Sequence, residues 1–301
     1  MFRRAQERDL AQIYDVFYQN EIADIADKAD AAQPPANSLA MLRHILNTGV
    51  LYVAEEQGQI IGYSGAITRG LVTFLTDLFV LPGKQSSQLG KTLLEYAVPA
   101  GDGRIHCTMS STDPRALALY IRSGMQPQWP HFNLLLVGAL RDTPQLQHID
   151  VEVREAHAGN AELIAWDAQI SGRSRPLDHP YWVREQQGIP LWFARQGQIV
   201  GYGYVRPGAG STSSIWYPEA CAIGPLGVKR AEDAAGCTLA AVKWAKQRAE
   251  VLRIDVPGLH PALAPLLDCG FHIIYNETFL SSAAAQFFDA RCYIASGSDL
   301  F

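Results

Sequence analysis

The stretch from Leu78 to Leu94, LFVLPGKQSSQLGKTLL, constrains the fold more than any other part of the chain. An apolar run, Phe74 to Leu81, is broken only by Thr76 and Asp77 and ends at Pro82. A polar loop follows, Gly83 to Gln88, and then Leu89, Leu93 and Leu94 fall at helical spacing. The pattern predicts a strand, a tight loop and a helix start. The first turn of such a helix carries backbone N–H groups with no partner inside the helix. With the helix dipole these form an anion site, most often for phosphate. The expectation is a phosphate-bearing cofactor held at Gln85 to Lys91.

Two loop types compete for these residues. A nucleotide P-loop, G-x-x-x-x-G-K-[ST], would use Gly90, Lys91 and Thr92 but needs its first glycine at Gln85; Gly83 stands two residues too early. A side chain at that place obstructs a loop wrapped round a triphosphate. The other type is a strand ending in V-x-P, then [RQ]-x-x-G-x-[GA], then a helix. Val80, Pro82, Gln85, Leu89, Gly90, Lys91, Leu93 and Leu94 follow it in order, with Gln88 standing where glycine is usual. A second stretch decides between them. Thr112 to Met125, TDPRALALYIRSGM, places Ala116, Leu119, Tyr120, Gly124 and Met125 in the register of N-x-x-A-x-x-L-Y-x-x-x-G-[FM], with Asp113 for the asparagine. Together the two stretches resemble the GNAT N-acetyltransferase superfamily over roughly residues 2–137.

That resemblance implies a cofactor and roles. Acetyl-CoA would lie in a gap between the fourth and fifth strands. Its pyrophosphate would rest on Gln85, Ser86, Ser87, Gln88, Leu89, Gly90 and Lys91. Its pantetheine arm would run along Leu78, Phe79 and Val80, whose N–H groups can also polarise the thioester carbonyl. Asp113, in the asparagine position, joins the cofactor set. Tyr120 stands where the family places the general acid that protonates the leaving thiolate. Asp77, on the fourth strand, is the candidate for draining the amine's proton. Strand alternation places it on the face opposite Thr76 and Leu78. No metal is expected.

The rest of the chain contributes a repeat. The first 137 residues read β, α, α, β, β, β, α, β, α, β, and the same order recurs from Val151. The repeat shows in letters: Gln57 to Gly65 is QGQIIGYSG and Gln196 to Tyr204 is QGQIVGYGY. Arg104-Ile105 is echoed by Arg253-Ile254, and Gly124-Met125 by Gly270-Phe271. Duplication accounts for the shared order. Two α+β units are expected, residues 1–141 and 148–301, each a mixed, mostly antiparallel sheet flanked by helices, with the polar stretch 142–147 as linker. The second unit lacks the loop pattern after Ile223 and has Leu266-Leu267 where the first has Leu119-Tyr120. It resembles the degenerate C-terminal unit of bacterial tandem GNAT proteins, through ACAIGPL (Ala220 to Leu226), RIDVP (Arg253 to Pro257) and Asp268 to Phe271. The resemblance implies that it completes an acceptor pocket or supports the first unit. Asp167, Arg173, Arg175, Glu219 and Asp255 are candidates for such a pocket.

Composition sets the class of partner. The 301 residues carry a net charge of -5, which argues against a nucleic-acid binder. The run Phe132 to Leu140 is far too short to span a membrane, and the N-terminal residues lack a signal-peptide core. Five scattered cysteines form no C-x-x-C pair, as expected of a cytoplasmic protein with reduced thiols. The acidic segment Glu21 to Asp30 tilts the expected acceptor towards a cationic small-molecule amine. Two functional readings stand: an acetyl-CoA-dependent N-acetyltransferase acting on a primary amine in a ternary complex, or a non-catalytic small-molecule binder or scaffold with a decayed fold of the same kind.

Overall fold

The computed structural model describes residues 1–23, 25, 31–85, 88–213, 215–297 and 300–301. Ser86 and Ser87 of the expected cofactor loop, and Asp24 and residues 26–30 of the acidic segment Glu21 to Asp30, lie outside the described residues.

The first half is built from β1 (Phe2–Arg4), α1 (Leu10–Glu21), α2 (Ala40–Thr48), β2 (Val50–Glu56), β3 (Gln59–Arg69), β4 (Val72–Val80), α3 (Leu89–Ala97), β5 (Ile105–Ser110), α4 (Pro114–Arg122) and β6 (Gln126–Val137). The second half runs α5 (Pro144–Gln147), β7 (Glu152–Glu155), α6 (Ala161–Ser171), α7 (Asp178–Glu185), β8 (Ile189–Arg195), β9 (Gln198–Arg206), α8 (Gly210–Ser213), β10 (Cys221–Val228), α9 (Ala231–Lys246), β11 (Val251–Pro257), α10 (Leu263–Asp268), β12 (His272–Ser281) and β13 (Tyr293–Ile294). The stretch expected to be a plain linker holds α5, because Thr143 caps it by accepting from Leu146 N and Pro144 begins its first turn.

Local chemistry explains the repeated pieces. Gln57-Gly58 and Gln196-Gly197 both take positive φ, 51° and 81° in one hairpin, 49° and 80° in the other. Two successive left-handed residues make the tight turn whose twist suits antiparallel strands, and glycine supplies the second at little cost. On α1 the residues Leu10, Ile13 and Val16 are buried, the inward stripe of an amphipathic helix.

The strands form one sheet in the order β1-β2-β3-β4-β5-β12-β6-β11-β10-β9-β8-β7, with β13 against β10. The two halves exchange strands β6 and β12. β12 lies between β5 and β6, pairing Thr278 with Ser110 on one side and Glu277 with His131 on the other. β6 lies between β12 and β11, pairing Asn133 with Asp255. Read from either end, each half's sheet is completed by a strand of the other. One large apolar core joins them further: Ile13, Tyr63 and Phe74 pack in the same cluster as Trp182, Tyr204 and Tyr293.

A buried ion group also ties the halves. Asp178 of α7 accepts from Arg69 Nε at 2.9 Å and meets His44 Nε2 at 2.8 Å. Burial alone would push the Asp178 carboxyl up; the bonds from His44 and Arg69 outweigh it and hold it at about 2.

Candidate active site between β4 and β5

β4 and β5 run parallel and paired from Val72–Ile105 to Leu75–Thr108, and no further. Beyond Leu75 the strands part. The cause lies on the other edge of β4, where the register against β3 shifts: Gly65 faces Asp77 and Ala66 faces Leu75, leaving Thr76 as an extra residue. A bulge of this kind bends its strand and re-aims side chains. It also corrects the expected alternation at Thr76, while Leu78 lies opposite Asp77 as expected, packed with Leu93. A Cβ at Gly65 would lie 2.6 Å from Thr76 Oγ1 and 3.2 Å from Asp77 Oδ2, so both side chains gather over the same glycine. Gly65 is thus required for Asp77 to sit where it does.

The parting opens a cavity of about 730 Å³. β4 lines it with Thr76, Asp77, Leu78, Phe79 and Val80, and β5 with Thr108 and Met109. Gln85, Asp113 and Tyr120 close one end. Tyr14, Phe17 and Glu21 of α1 cover it, and Trp216 donates its indole N–H to Glu21 Oε2 at 3.2 Å from the second half. Asp77 is buried and accepts a hydrogen bond from Tyr63 Oη at 3.2 Å.

Tyr120 packs its ring into an apolar cluster with Leu75, Leu94 and Met125 while its side chain reaches the cavity. It is 6% exposed, and among the described residues its hydroxyl has no hydrogen-bond partner. Burial pushes the phenol's pKa well up, and the negative charges of Asp77 and Asp113 push it further. It therefore stays a neutral proton donor across the ordinary pH range.

The loop that follows β4 has its anchors. Gln85 Oε1 accepts from Arg115 Nη1 at 3.0 Å, and its Nε2 reaches Asn20 Oδ1 at 3.4 Å. Asp113 caps α4, accepting from Arg115 N at 2.8 Å, and the Arg115 guanidinium beside it holds its carboxyl below the usual range. Gln88 has φ 62° and ψ 0°, the left-handed region. This is the position where the motif usually has glycine; glutamine accepts here a backbone that costs it on the order of 1 kcal/mol. Gln88 makes no side-chain cap on α3, and among the described residues no side chain accepts from the N–H groups at Leu89, Gly90 and Lys91. Gly90 is not demanded by packing, since an added Cβ would meet only Leu119 Cδ2, at 3.8 Å. Lys91 is exposed and pairs with Glu95 at 3.8 Å.

The corresponding place in the second half is filled. β10 and β11 pair from Cys221–Leu252 to Ile223–Ile254, then β10 shifts register. There β13 enters, pairing Leu226 with Ile294 and Gly227 with Tyr293. The chain's own backbone occupies the edge of β10 that β4 leaves open. Only Lys229 and Arg230 separate β10 from α9, too few for a phosphate loop.

Of the polar residues expected to line a pocket in the second half, most do not. Asp167, Arg173 and Arg175 are buried elsewhere. Arg175 Nε donates to Asp167 Oδ2 at 2.8 Å, Tyr202 donates to Asp167 Oδ1 at 2.5 Å, and Arg173 lies over the Phe301 ring at 4.0 Å. Glu219 is exposed, and Asp255 is one step removed, meeting Arg253 Nη2 at 3.4 Å. The second half instead supplies Trp216, Tyr217, Arg253, Ile274, Tyr275 and Glu277. Glu277 and Asn133 escape sequence reasoning because they meet only through the strand exchange. Arg115 sat inside a recognised motif, and its charge next to Asp113 was the signal.

Residues 47–126 match the family model described as an acetyltransferase (GNAT) domain. No curated protein matches the sequence. Among solved structures, a candidate acetyltransferase from Pyrococcus horikoshii superposes with a TM-score of 0.75 at 13% identity, over 100% of this chain and 95% of that one. A glucosamine N-acetyltransferase region in a fungal multi-domain β-N-acetylglucosaminidase gives 0.66 at 14% identity, covering 93% of this chain and 38% of that one. A tandem GNAT protein of the clavulanic acid biosynthesis pathway gives 0.62 at 12% identity, covering 95% and 99%. These likenesses show the fold. No described helix is long and apolar enough to cross a membrane.

Proposed function

We propose that this chain, which has the fold of tandem GNAT acetyltransferases and a GNAT domain at residues 47–126, is an acetyl-CoA-dependent N-acetyltransferase with one working site, in its first half. The observation that carries the reading is the opening of β4 from β5 after Leu75–Thr108, with buried Tyr120 at the gap. The residues present fit the cofactor. The gap leaves strand N–H groups beside Leu78 to Val80 for an amide arm, and the uncapped start of α3 offers its N–H groups to a pyrophosphate.

Bound acetyl-CoA supplies a thioester, at whose acyl carbon an amine forms the C–N bond as the C–S bond breaks. The chain's own groups handle the protons. Tyr120 Oη holds the proton that the departing sulfur takes up, and its raised pKa keeps that proton in place beforehand. The Asp77 carboxylate, in the same cavity, receives the proton the amine sheds, directly or through water. The acceptor is a small primary amine that binds with the donor in a ternary complex, because donor groove and acceptor space are parts of one cavity.

Titration calorimetry with acetyl-CoA, with ATP and magnesium as control, tests the reading. One acetyl-CoA per chain and no ATP heat are expected. Absence of acetyl-CoA binding would sink it; two sites per chain would show that the β13-filled place in the second half opens.

A further inference from the structure

The floor of the cavity beyond the β4–β5 gap belongs to the exchanged strands. On β11, Leu252, Ile254 and Val256 enter the second-half core, so alternation turns Arg253 and Asp255 to the opposite face. On β6, Leu134 and Leu136 enter that core and Asn133 is turned the same way as Arg253. Glu277 of β12 joins them, accepting from Asn133 Nδ2 at 3.0 Å. Glu277, Asn133 and Arg253 all reach the cavity.

The order of strands is a ruler. β12 adjoins β5, so Glu277 stands one strand spacing from the wall of the thioester groove, about 5 Å. β11 is two strands farther, about 10 Å, and its Arg253 lines the cavity. Both charges are shielded: Glu277 is 8% exposed and the Arg253 side chain 14%. In such a place opposite charges attract far more than in water, and like charges are rejected. Arg253 carries a planar fork of N–H donors, and its Nη2 lies 3.4 Å from Asp255 Oδ2; a fork of this kind suits a carboxylate. Trp216, Tyr217 and Tyr275 line the same cavity and offer aromatic surface to the body of a ligand.

We infer that the acceptor is a small amino carboxylate, its ammonium held at Glu277 facing the acyl groove and its carboxylate at Arg253. Asn133 is a positioning residue for Glu277. This assignment rests on the acetyltransferase reading for the reaction, but not for the binding.

The test pairs molecules that differ only in the carboxylate: lysine with cadaverine, and phenylalanine with phenethylamine. Acetyl transfer is measured with the full chain, and binding of each compound by calorimetry with and without acetyl-CoA. At least one carboxylate-bearing member is expected to exceed its partner tenfold or more in kcat/KM. Arg253→Gln removes that preference, Arg253→Lys restores part of it, and Glu277→Gln raises KM for both members tenfold. Acetyl-CoA affinity stays within twofold in all three variants, and thermal melting confirms that each is folded. A carboxylate-free member that serves as well or better in the wild type overturns the assignment, as does a preference that survives Arg253→Gln. If no compound is acetylated because acetyl-CoA does not bind, the acetyltransferase reading fails, while selective heat from the carboxylate-bearing members would still uphold the seat and its absence would remove it.

Discussion

Asn133 Nδ2 donates to Glu277 Oε2 at 3.0 Å, joining the last strand of the first half to the strand that the second half lays beside it. Both residues are buried, at 8% exposure each. A hydrogen bond to a charged acceptor in such a place contributes about 1.5–3 kcal/mol. Asn133→Ala should lower unfolding free energy by roughly that much in urea titration. A loss under about 0.5 kcal/mol would mean the contact is incidental.

Tyr120→Phe removes one oxygen from an otherwise unchanged apolar packing. Transfer should fall at least about 100-fold, the usual scale for a positioned acid. Acetyl-CoA affinity by calorimetry should hold within twofold. Because burial and the neighbouring carboxylates raise the phenol's pKa, this group gives the wild-type rate profile no falling limb below about pH 10. Full activity in the phenylalanine variant would remove Tyr120 from the reaction.

Gly90→Val separates ligand space from protein space. A Cβ added at this position meets only Leu119 Cδ2, at 3.8 Å, so the melting temperature should stay within about 3 °C, the size of a sub-kcal/mol change in a chain this long. Acetyl-CoA heat should vanish. Unaltered binding would place the pyrophosphate elsewhere.

Asp178 sets an acid limit on stability. Its carboxyl is held at about 2, below its ordinary 3.8. A depressed carboxyl contributes stability that is complete above the unfolded value and lost as pH falls through the folded one. The window is therefore about pH 4 down to about 2, and the contribution roughly 2 kcal/mol. Asp178→Asn should unfold more easily at pH 7, by about 3–5 kcal/mol, because Arg69 is left buried without its charge partner. Its stability should then change less between pH 4 and 2 than that of the wild type, as followed by circular dichroism.

The local parts of the site were legible in the sequence. Val80 to Lys91 gave the strand, loop and helix, and Asp113 to Gly124 gave the capped helix bearing Tyr120, because capping, glycine and apolar spacing act within a few residues. Asp77 lies opposite Leu78 as alternation requires, but Thr76, the one extra residue against Gly65 and Ala66, falls on the Asp77 side and breaks the alternation there. Asp167, Arg173 and Arg175 look like pocket residues by type, yet their partners, Tyr202 and Tyr293 among them, fix them in the interior. The pairing of Thr278 with Ser110 and of Glu277 with His131 left no trace in composition or period, since it joins segments more than a hundred residues apart. The loss of a phosphate loop after Ile223 was readable; that Tyr293 and Ile294 take over the vacated strand edge was not.

The placement of β12 imposes a schedule on synthesis. Until residues 272–281 leave the ribosome, the edges of β5 and β6 that β12 pairs with in the folded chain lack that partner. At about 5–20 residues per second, the interval between completing β6 and completing β12 is roughly 7–30 s. Open strand edges invite pairing with other chains during that time. A nascent chain of this protein is therefore a client for whatever shields edges at the ribosome exit, and rare codons placed between β6 and β12 would lengthen its exposure.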